Sequence, residues 1–337
     1  MNDMLAPHQT KVLLLFIPPL LMVRHQQEGP MIRAATAFLL SVLLYSPGIA
    51  QSERDDPSLI SLVASERAFA RTSVKIGARS SFMMYFADDA VVFRPHPVKY
   101  KEAMKNVPLP KNPTEATLEW EPLWADISRS GDLGYTTGPS VWTDHSPAKR
   151  PTYYGFYFSF WKKQPTGEWK VVFDVGTELP GPYDGATTLQ SPVTIKPNES
   201  GKKMNAEDQR SSLMDAERGF LELARKDGVQ KTLGEILDKE TRLYRQKVQP
   251  IVGIDSIQAY FSNKPYPSTW DPLEASVAEA GDLGYSYGSY TVRNGDKPGD
   301  DEKGYYLHAW RRDASNRWKL VAEVTSPLPP DAAKAKQ

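Results

Sequence analysis

Eight residues of this chain occur twice. Gly131-Asp132-Leu133-Gly134-Tyr135-Thr136-Thr137-Gly138 returns as Gly281-Asp282-Leu283-Gly284-Tyr285-Ser286-Tyr287-Gly288, with six of eight positions identical and a shift of 281 − 131 = 150. Solenoid units repeat every roughly 20–50 residues, so a word returning at this distance marks a duplicated domain. The length of 337 residues agrees, because a domain takes about 150 residues. The chain therefore has to fold the same way twice.

Each repeat can be read against the other. Leu62, Glu66, Phe69 and Ser73 follow helical spacing, as do Leu213, Glu217, Phe220 and Ala224. Both stretches predict amphipathic helices with Glu66 and Glu217 on or beside the buried stripe. The plain alternative leaves each Glu half-exposed, paired with Arg67, Arg71 or Arg218. A second helical piece is expected at 80–87 and 232–237, a short strand at 90–94 and 241–245, and a third helix at 100–104 and 254–261. The rest of each repeat alternates as strand. Trp120-Glu121-Pro122-Leu123 matches Trp270-Asp271-Pro272-Leu273, and the strands ending near Trp161 and Trp310 recur, as do those opening at Trp169 and Trp318. Gly131 and Gly281 fall at hairpin turns, where positive φ is cheap only for glycine. In the strand that follows, Gly134 and Gly138 leave one face flat, which suits the close approach of a helix or ligand, or else a bulge.

Composition narrows the chemistry. With 41 basic and 41 acidic residues, no cationic field exists to displace counterions from nucleic acid. The absence of Cys excludes disulfides, thiolate metal sites and a Cys nucleophile. The five His do not pair at ligand spacing, so no metal is expected. Phosphate-cradling Gly-rich loops and Ser nucleophile elbows are missing, and no cofactor is implied.

Residues 1–50 read as a leader rather than fold. Met31-Ile32-Arg33, an apolar run over 34–45 and Gly48-Ile49-Ala50 form a secretory signal with cleavage before Gln51 and Met31 as the natural start. The apolar run at 12–23, broken by Pro18-Pro19, is shorter than the roughly 20 residues of a membrane span. The alternative is a longer retained anchor. The mature protein is expected in the periplasm or secreted, without stable membrane insertion. The domains are then 51–182 and 209–330, with a Pro-, Gly- and Ser-rich linker at 183–208 and a tail at 331–337.

Three helices followed by a long antiparallel sheet make an α+β fold. The Glu-x-x-Phe openings (Glu66 and Phe69, Glu217 and Phe220) carry a resemblance, together with Phe86-Ala87-Asp88-Asp89-Ala90-Val91 and the Gly-Asp-Leu-Gly-Tyr strands. The closing strands Trp169…Asp174 and Trp318…Glu323 complete it. The chain resembles two tandem domains of the NTF2-like superfamily (the cystatin-like cone of ketosteroid isomerase and the SnoaL-type cyclases), and within it the DUF4440 branch. The resemblance implies a conical pocket between helices and sheet, and sheet-to-sheet pairing of domains. Covalent linkage makes that pairing intramolecular, so a pseudo-two-fold dimer within a monomeric chain is expected.

Similar cones host isomerases, cyclases, dehydratases and binding modules, so function rests on the lining. Asp174 and Glu323 occupy matching strand positions and are the candidate acid/base groups, since burial raises a carboxylate toward neutrality. The alternative for both is hydrogen bonding within the sheet. Tyr85, His96, Tyr135 and Tyr157 are the candidate ligand-binding partners in the first repeat, and Tyr244, Tyr285, Tyr306 and His308 in the second. The expected function is that of an exported protein binding a small, mainly apolar molecule in one or both cones. The alternatives are an isomerase-, cyclase- or dehydratase-type enzyme and a structural or partner-binding module.

Overall fold

The computed structural model describes residues 56–192, 205–237, 239–293 and 301–329. The expected leader, the cleavage site before Gln51, the middle of the expected linker and the tail lie outside the described residues.

The first repeat opens with helix α1 (Pro57–Ile76). Asp56 caps it, its Oδ1 accepting from the amides of Ser58 at 2.7 Å and Leu59 at 3.2 Å, and Pro57 takes the first helical position, where no amide is needed. Gly77, at φ +88°, ends α1 and starts α2 (Ala78–Tyr85). Then follow β1 (Phe86–Phe93), β2 (Pro97–Lys99), α3 (Tyr100–Met104), β3 (Ala116–Trp120), β4 (Trp124–Ile127), β5 (Leu133–Asp144), β6 (Tyr153–Lys163) and β7 (Trp169–Glu178). The second repeat gives α4 (Ala206–Asp227), α5 (Val229–Ile236), β8 (Arg242–Tyr244), β9 (Ile251–Val252), α6 (Ile254–Ser262), β10 (Thr269–Val277), β11 (Leu283–Val292), β12 (Glu302–Arg312) and β13 (Trp318–Pro327).

Sheet one runs β2-β1-β7-β6-β5-β3, with β4 also pairing β5; sheet two runs β10-β11-β12-β13-β8-β9. The α+β class stands, but the sheets are mixed rather than purely antiparallel. β1 pairs parallel to β7, and β8 parallel to β13. These partners are joined through the rest of the repeat, so no hairpin dictates their direction. Where a strand is expected to open at Trp120, β3 instead ends there and Glu121-Pro122-Leu123 is the gap before β4, whereas β10 runs through the matching segment with a bulge between Pro272 and Glu274. Gly131 and Gly281 have φ of 66° and 71°, as their turns require.

Each sheet has two apolar faces, and each face finds its own partner. One packs on the helices of its repeat, through Leu62, Phe69, Phe86 and Trp161 in the first and Leu213, Phe220, Leu233 and Trp310 in the second. Gly134 and Gly284 make that approach close: a Cβ on Gly134 would lie 2.6 Å from Leu62 Cδ2, and one on Gly284 2.9 Å from Leu213 Cδ2. The opposite faces pack on each other. Phe158, Phe160 and Phe173 share one buried core with Tyr285, Tyr287, Leu307 and Val324. Phe160 and Tyr285 approach to 4.6 Å between ring centroids, and Phe173 and Tyr287 to 5.0 Å. The two repeats therefore form an intramolecular pseudo-dimer, sheet against sheet. The start of the expected linker lies along the first repeat, where Gln190 exchanges backbone hydrogen bonds with Leu123 and Ala125.

Candidate functional site

Between the helices and the sheet of each repeat, in the place of the expected cone, lies a buried glutamate. Glu66 and Glu217 are fully buried on the inner stripe of α1 and α4, which corrects the half-exposed alternative. Helical spacing puts each in line with the core residues around it, and the flat glycine face lets it reach the sheet. Glu66 Oε2 accepts from Thr136 Oγ1 and, at 2.8 Å, from Trp161 Nε1; Oε1 accepts from Trp120 Nε1 at 2.5 Å. Glu217 repeats two of these three contacts. Its Oε2 accepts from Ser286 Oγ at 2.5 Å and Trp310 Nε1 at 2.9 Å.

The other oxygen separates the repeats. In the second, Glu217 Oε1 meets His308 Nδ1 at 2.9 Å in place of Trp270 Nε1, the counterpart of Trp120. His308 Nε2 meets Glu323 Oε2 at 3.0 Å, and Arg245 donates to Glu323 Oε1. Glutamate, imidazole, glutamate and guanidinium thus form one chain of alternating charge. In the first repeat Ser159 stands where His308 does, and its hydroxyl donates to Asp174 Oδ1 at 2.6 Å. Arg94, the counterpart of Arg245, is exposed and lies over the Tyr100 ring at 5.6 Å.

Electrostatics follow from this difference. With no cation beside them among the described residues, burial raises Glu66 to about 7 and Asp174 to about 6, against their hydrogen bonds. Burial would also raise Glu323, but Arg245 and His308 hold it down at about 2, and Glu217 is likewise lowered against burial by His308. Burial disfavours the His308 charge, yet Glu217 and then Glu323 lift it to about 9. At neutral pH both His308 nitrogens therefore carry protons and donate to carboxylates.

The expected site residues divide by the face they occupy. Tyr85, Tyr157 and Asp174 belong to the first cone: Tyr85 packs on Phe69 and meets Thr72 through its hydroxyl, and Tyr157 lies 6.2 Å from Trp120 between ring centroids. Tyr306, His308 and Glu323 belong to the second cone, with Tyr306 4.6 Å from Trp270 between ring centroids. Tyr135, Tyr244 and Tyr285 lie outside the cones. They project from the outer faces into the core between the sheets, because adjacent strand positions point to opposite sides. His96 Nδ1 lies 2.9 Å from Tyr305 Oη of the other repeat, so it ties the repeats together. Sequence reading underrated Glu66 and Glu217; their recurrence within two matched core stripes was the available signal. It missed Arg245, Trp270 and Tyr266, for which adjacency to other site residues exists only in three dimensions.

A cavity of about 310 Å³ opens at the mouth of the second cone, lined by Arg245, Tyr260, Phe261, Lys264, Tyr290 and Thr325 among others. Arg245 connects its wall to the buried charge chain, and Tyr290 backs onto Trp270 at 5.7 Å between ring centroids. Three buried polar groups lie further in: Tyr306 Oη faces Glu217 and Trp270 Nε1 faces Tyr266 Oη, but neither contact closes to full hydrogen-bond geometry. No group of side chains suited to a metal ion occurs among the described residues.

No protein-family model matches the chain, and no curated protein matches it. Solved structures do, each over little more than a third of the chain. An NTF2-like protein from Cytophaga hutchinsonii is 17% identical, covering 37% of this chain and 100% of its own, with a TM-score of 0.30. An NTF2-like protein of Pseudomonas putida is 13% identical over 36% of this chain and 87% of its own, with a TM-score of 0.30. An NTF2-like protein with a cystatin-like fold from Novosphingobium aromaticivorans is 13% identical over 38% of this chain and 86% of its own, again with a TM-score of 0.30.

Proposed function

We propose, from two NTF2-like cones fused back to back, that this is an exported protein whose second repeat binds a small molecule and whose first repeat supports it. The observation that carries the reading is the cavity walled by Arg245 and by aromatic rings. Its volume of about 310 Å³ sits at the small end of ligand sites, which are mostly apolar with a few placed polar groups. Tyr260, Phe261 and Tyr290 supply the apolar walls, and Arg245 and Lys264 favour a ligand with an acidic or carbonyl oxygen. The loosely held donors Tyr266, Trp270 and Tyr306 add to this, since a buried donor without a well-formed hydrogen bond gains from an acceptor that water or a ligand brings. Export is supported by the leader pattern of residues 31–50; no described helix is long and apolar enough to cross a membrane. DUF4440-type membership is supported only by the motifs given above.

An acid/base reading attaches to Asp174 rather than Glu323. Both Glu323 oxygens and both His308 nitrogens are engaged in the charge chain, and Arg245 and His308 hold Glu323 at about 2, which takes it away from proton exchange near neutrality. Asp174 is partly accessible on the cone face, is bonded by Ser159, and is raised to about 6 by burial.

Native mass spectrometry of the mature chain from its host periplasm tests the binding reading. A co-purifying molecule retained by the wild type and lost in Arg245→Ala supports it. A bare protein mass, or a ligand indifferent to Arg245→Ala, sinks it.

A further inference from the structure

The interface between the sheets has two ends related by the pseudo-two-fold axis, and they differ. At one end Trp124 and Asp126 of the first repeat meet Arg242 and Arg311 of the second. The Arg242 guanidinium lies 3.3 Å from the Trp124 ring centroid, and Arg311 Nε donates to Asp126 Oδ2 at 2.8 Å. Trp124 Nε1 also donates to Tyr135 Oη at 3.1 Å. An indole ring and a carboxylate thus fill this end and are held by two cations. Asp126 is 2% exposed and Trp124 6%.

At the other end the repeat offset places Glu274 for Trp124, Ser276 for Asp126, Val91 for Arg242 and Lys162 for Arg311. The indole and its matching carboxylate are gone. In their place is a cavity of about 430 Å³ whose lining includes all four of these residues together with Tyr285 and Tyr287. One cation survives in Lys162, which is exposed. No described residue lies within ion-pair distance of its ammonium. Glu274 does not refill the space, because Tyr287 Oη holds its Oε2 at 2.8 Å. Asp89 and Lys99 also line the cavity and offset each other in charge.

We propose that this open end of the interface is a second ligand site, separate from the cones, for a small planar aromatic carboxylate. The closed end is its chemical template. The ligand's ring occupies the position of the Trp124 indole against Tyr285, Val91 and Val172, and its carboxylate meets Lys162 as Asp126 meets Arg311. The volume falls within the range of small-molecule sites. Because both repeats supply walls, a bound ligand also holds the two repeats together, as Trp124 and Asp126 do at the closed end.

Indole-3-acetate is the probe, titrated into the full mature chain by calorimetry. Intermolecular NOEs from the indole ring locate it. Saturable one-site binding is expected, with NOEs to Val91, Val98 and Val172. Lys162→Glu weakens it by about tenfold or more, indole without the carboxylate binds about tenfold more weakly, and Glu274→Trp abolishes binding by restoring the missing ring. If Glu274→Trp loses its native circular dichroism, Lys162→Glu, an exposed change, decides alone. Absence of saturable binding to the wild type, binding that Lys162→Glu leaves intact, or NOEs confined to the Tyr260 and Phe261 side overturns the proposal.

Discussion

Asp132 and Asp282, 150 residues apart, each accept a hydrogen bond from the hairpin turn of the other repeat. Asp282 Oδ2 accepts from the Arg129 amide at 3.0 Å, and Asp132 Oδ2 accepts from the Glu279 amide at 3.2 Å. Arg129 and Glu279 are themselves 150 residues apart, so the exchange obeys the two-fold. The word that the chain writes twice is therefore its internal joint: the Asp binds across, the first Gly makes the turn, and the second lets the helix close on the sheet.

Arg311 is the cross-link most exposed to disruption by mutation. It pairs with Asp126 in the other repeat, donates to the Ile127 carbonyl at 2.7 Å and lies 3.7 Å from Asp282. Arg311→Met leaves Asp126 buried without its cation and is expected to cost about 3–5 kcal/mol. Combining it with Asp126→Asn should recover part of that loss. Urea unfolding of the two single variants and the double variant measures the coupling; additive effects would show that the pair is not coupled.

The outer face of each sheet is already covered by the other. The mature chain is accordingly expected to sediment as a monomer, at a mass independent of concentration. A dimer of full chains would mean that a further surface, outside the core between the sheets, drives association.

Glycine substitutions should divide by what a Cβ would meet. Gly134→Ala sets a carbon 2.6 Å from both Leu62 Cδ2 and the Asp126 carbonyl oxygen, and overpacking of this kind costs about 1–3 kcal/mol. Gly219 lies inside α4 with nothing within 4 Å of its added Cβ, so Gly219→Ala should stabilise by about 0.5–1 kcal/mol. Thermal unfolding midpoints read both. A stabilised Gly134→Ala would refute the close helix approach.

The buried groups of the two repeats should titrate in different pH windows. In the second, Glu323 drops from an ordinary 4.5 to about 2, so its contribution is present above 4.5 and lost as pH falls toward 2. His308 rises from 6.5 to about 9, so its contribution is whole below 6.5 and lost as pH rises through 9. In the first, Glu66 rises from 4.5 to about 7. The unfolded chain then releases that proton first, and stability falls as pH climbs from 4.5 to 7. Proton NMR of the His308 ring checks the central claim. A midpoint near 9, moving down in Glu217→Gln, is expected, whereas a wild-type midpoint at or below 6.5 would rule out the charged imidazolium.

Much of the architecture was legible because the chain contains its own comparison. Matching Leu62, Glu66 and Phe69 with Leu213, Glu217 and Phe220 located the helices, and periodicity is a local property. The third helix of the first repeat falls on Tyr100–Met104, where the spacing put it. Strand ends were less legible, since β3 stops at Trp120 while β10 passes through the matching segment. That difference depends on which edge partners each strand finds.

The sequence by itself determined that one α+β fold is built twice and that Asp174 and Glu323 occupy equivalent strand positions, because both follow from order and spacing. Only the tertiary structure decided which face each side chain serves. Tyr135 and Thr136 are neighbours in sequence, yet one enters the core between the sheets and the other binds Glu66 in the cone. It also decided that His308 and Arg245 charge-balance the second cone while Ser159 and an outward Arg94 leave the first without a cation. Burial and the pairing of charges are set by residues far apart along the chain, and no local pattern encodes them.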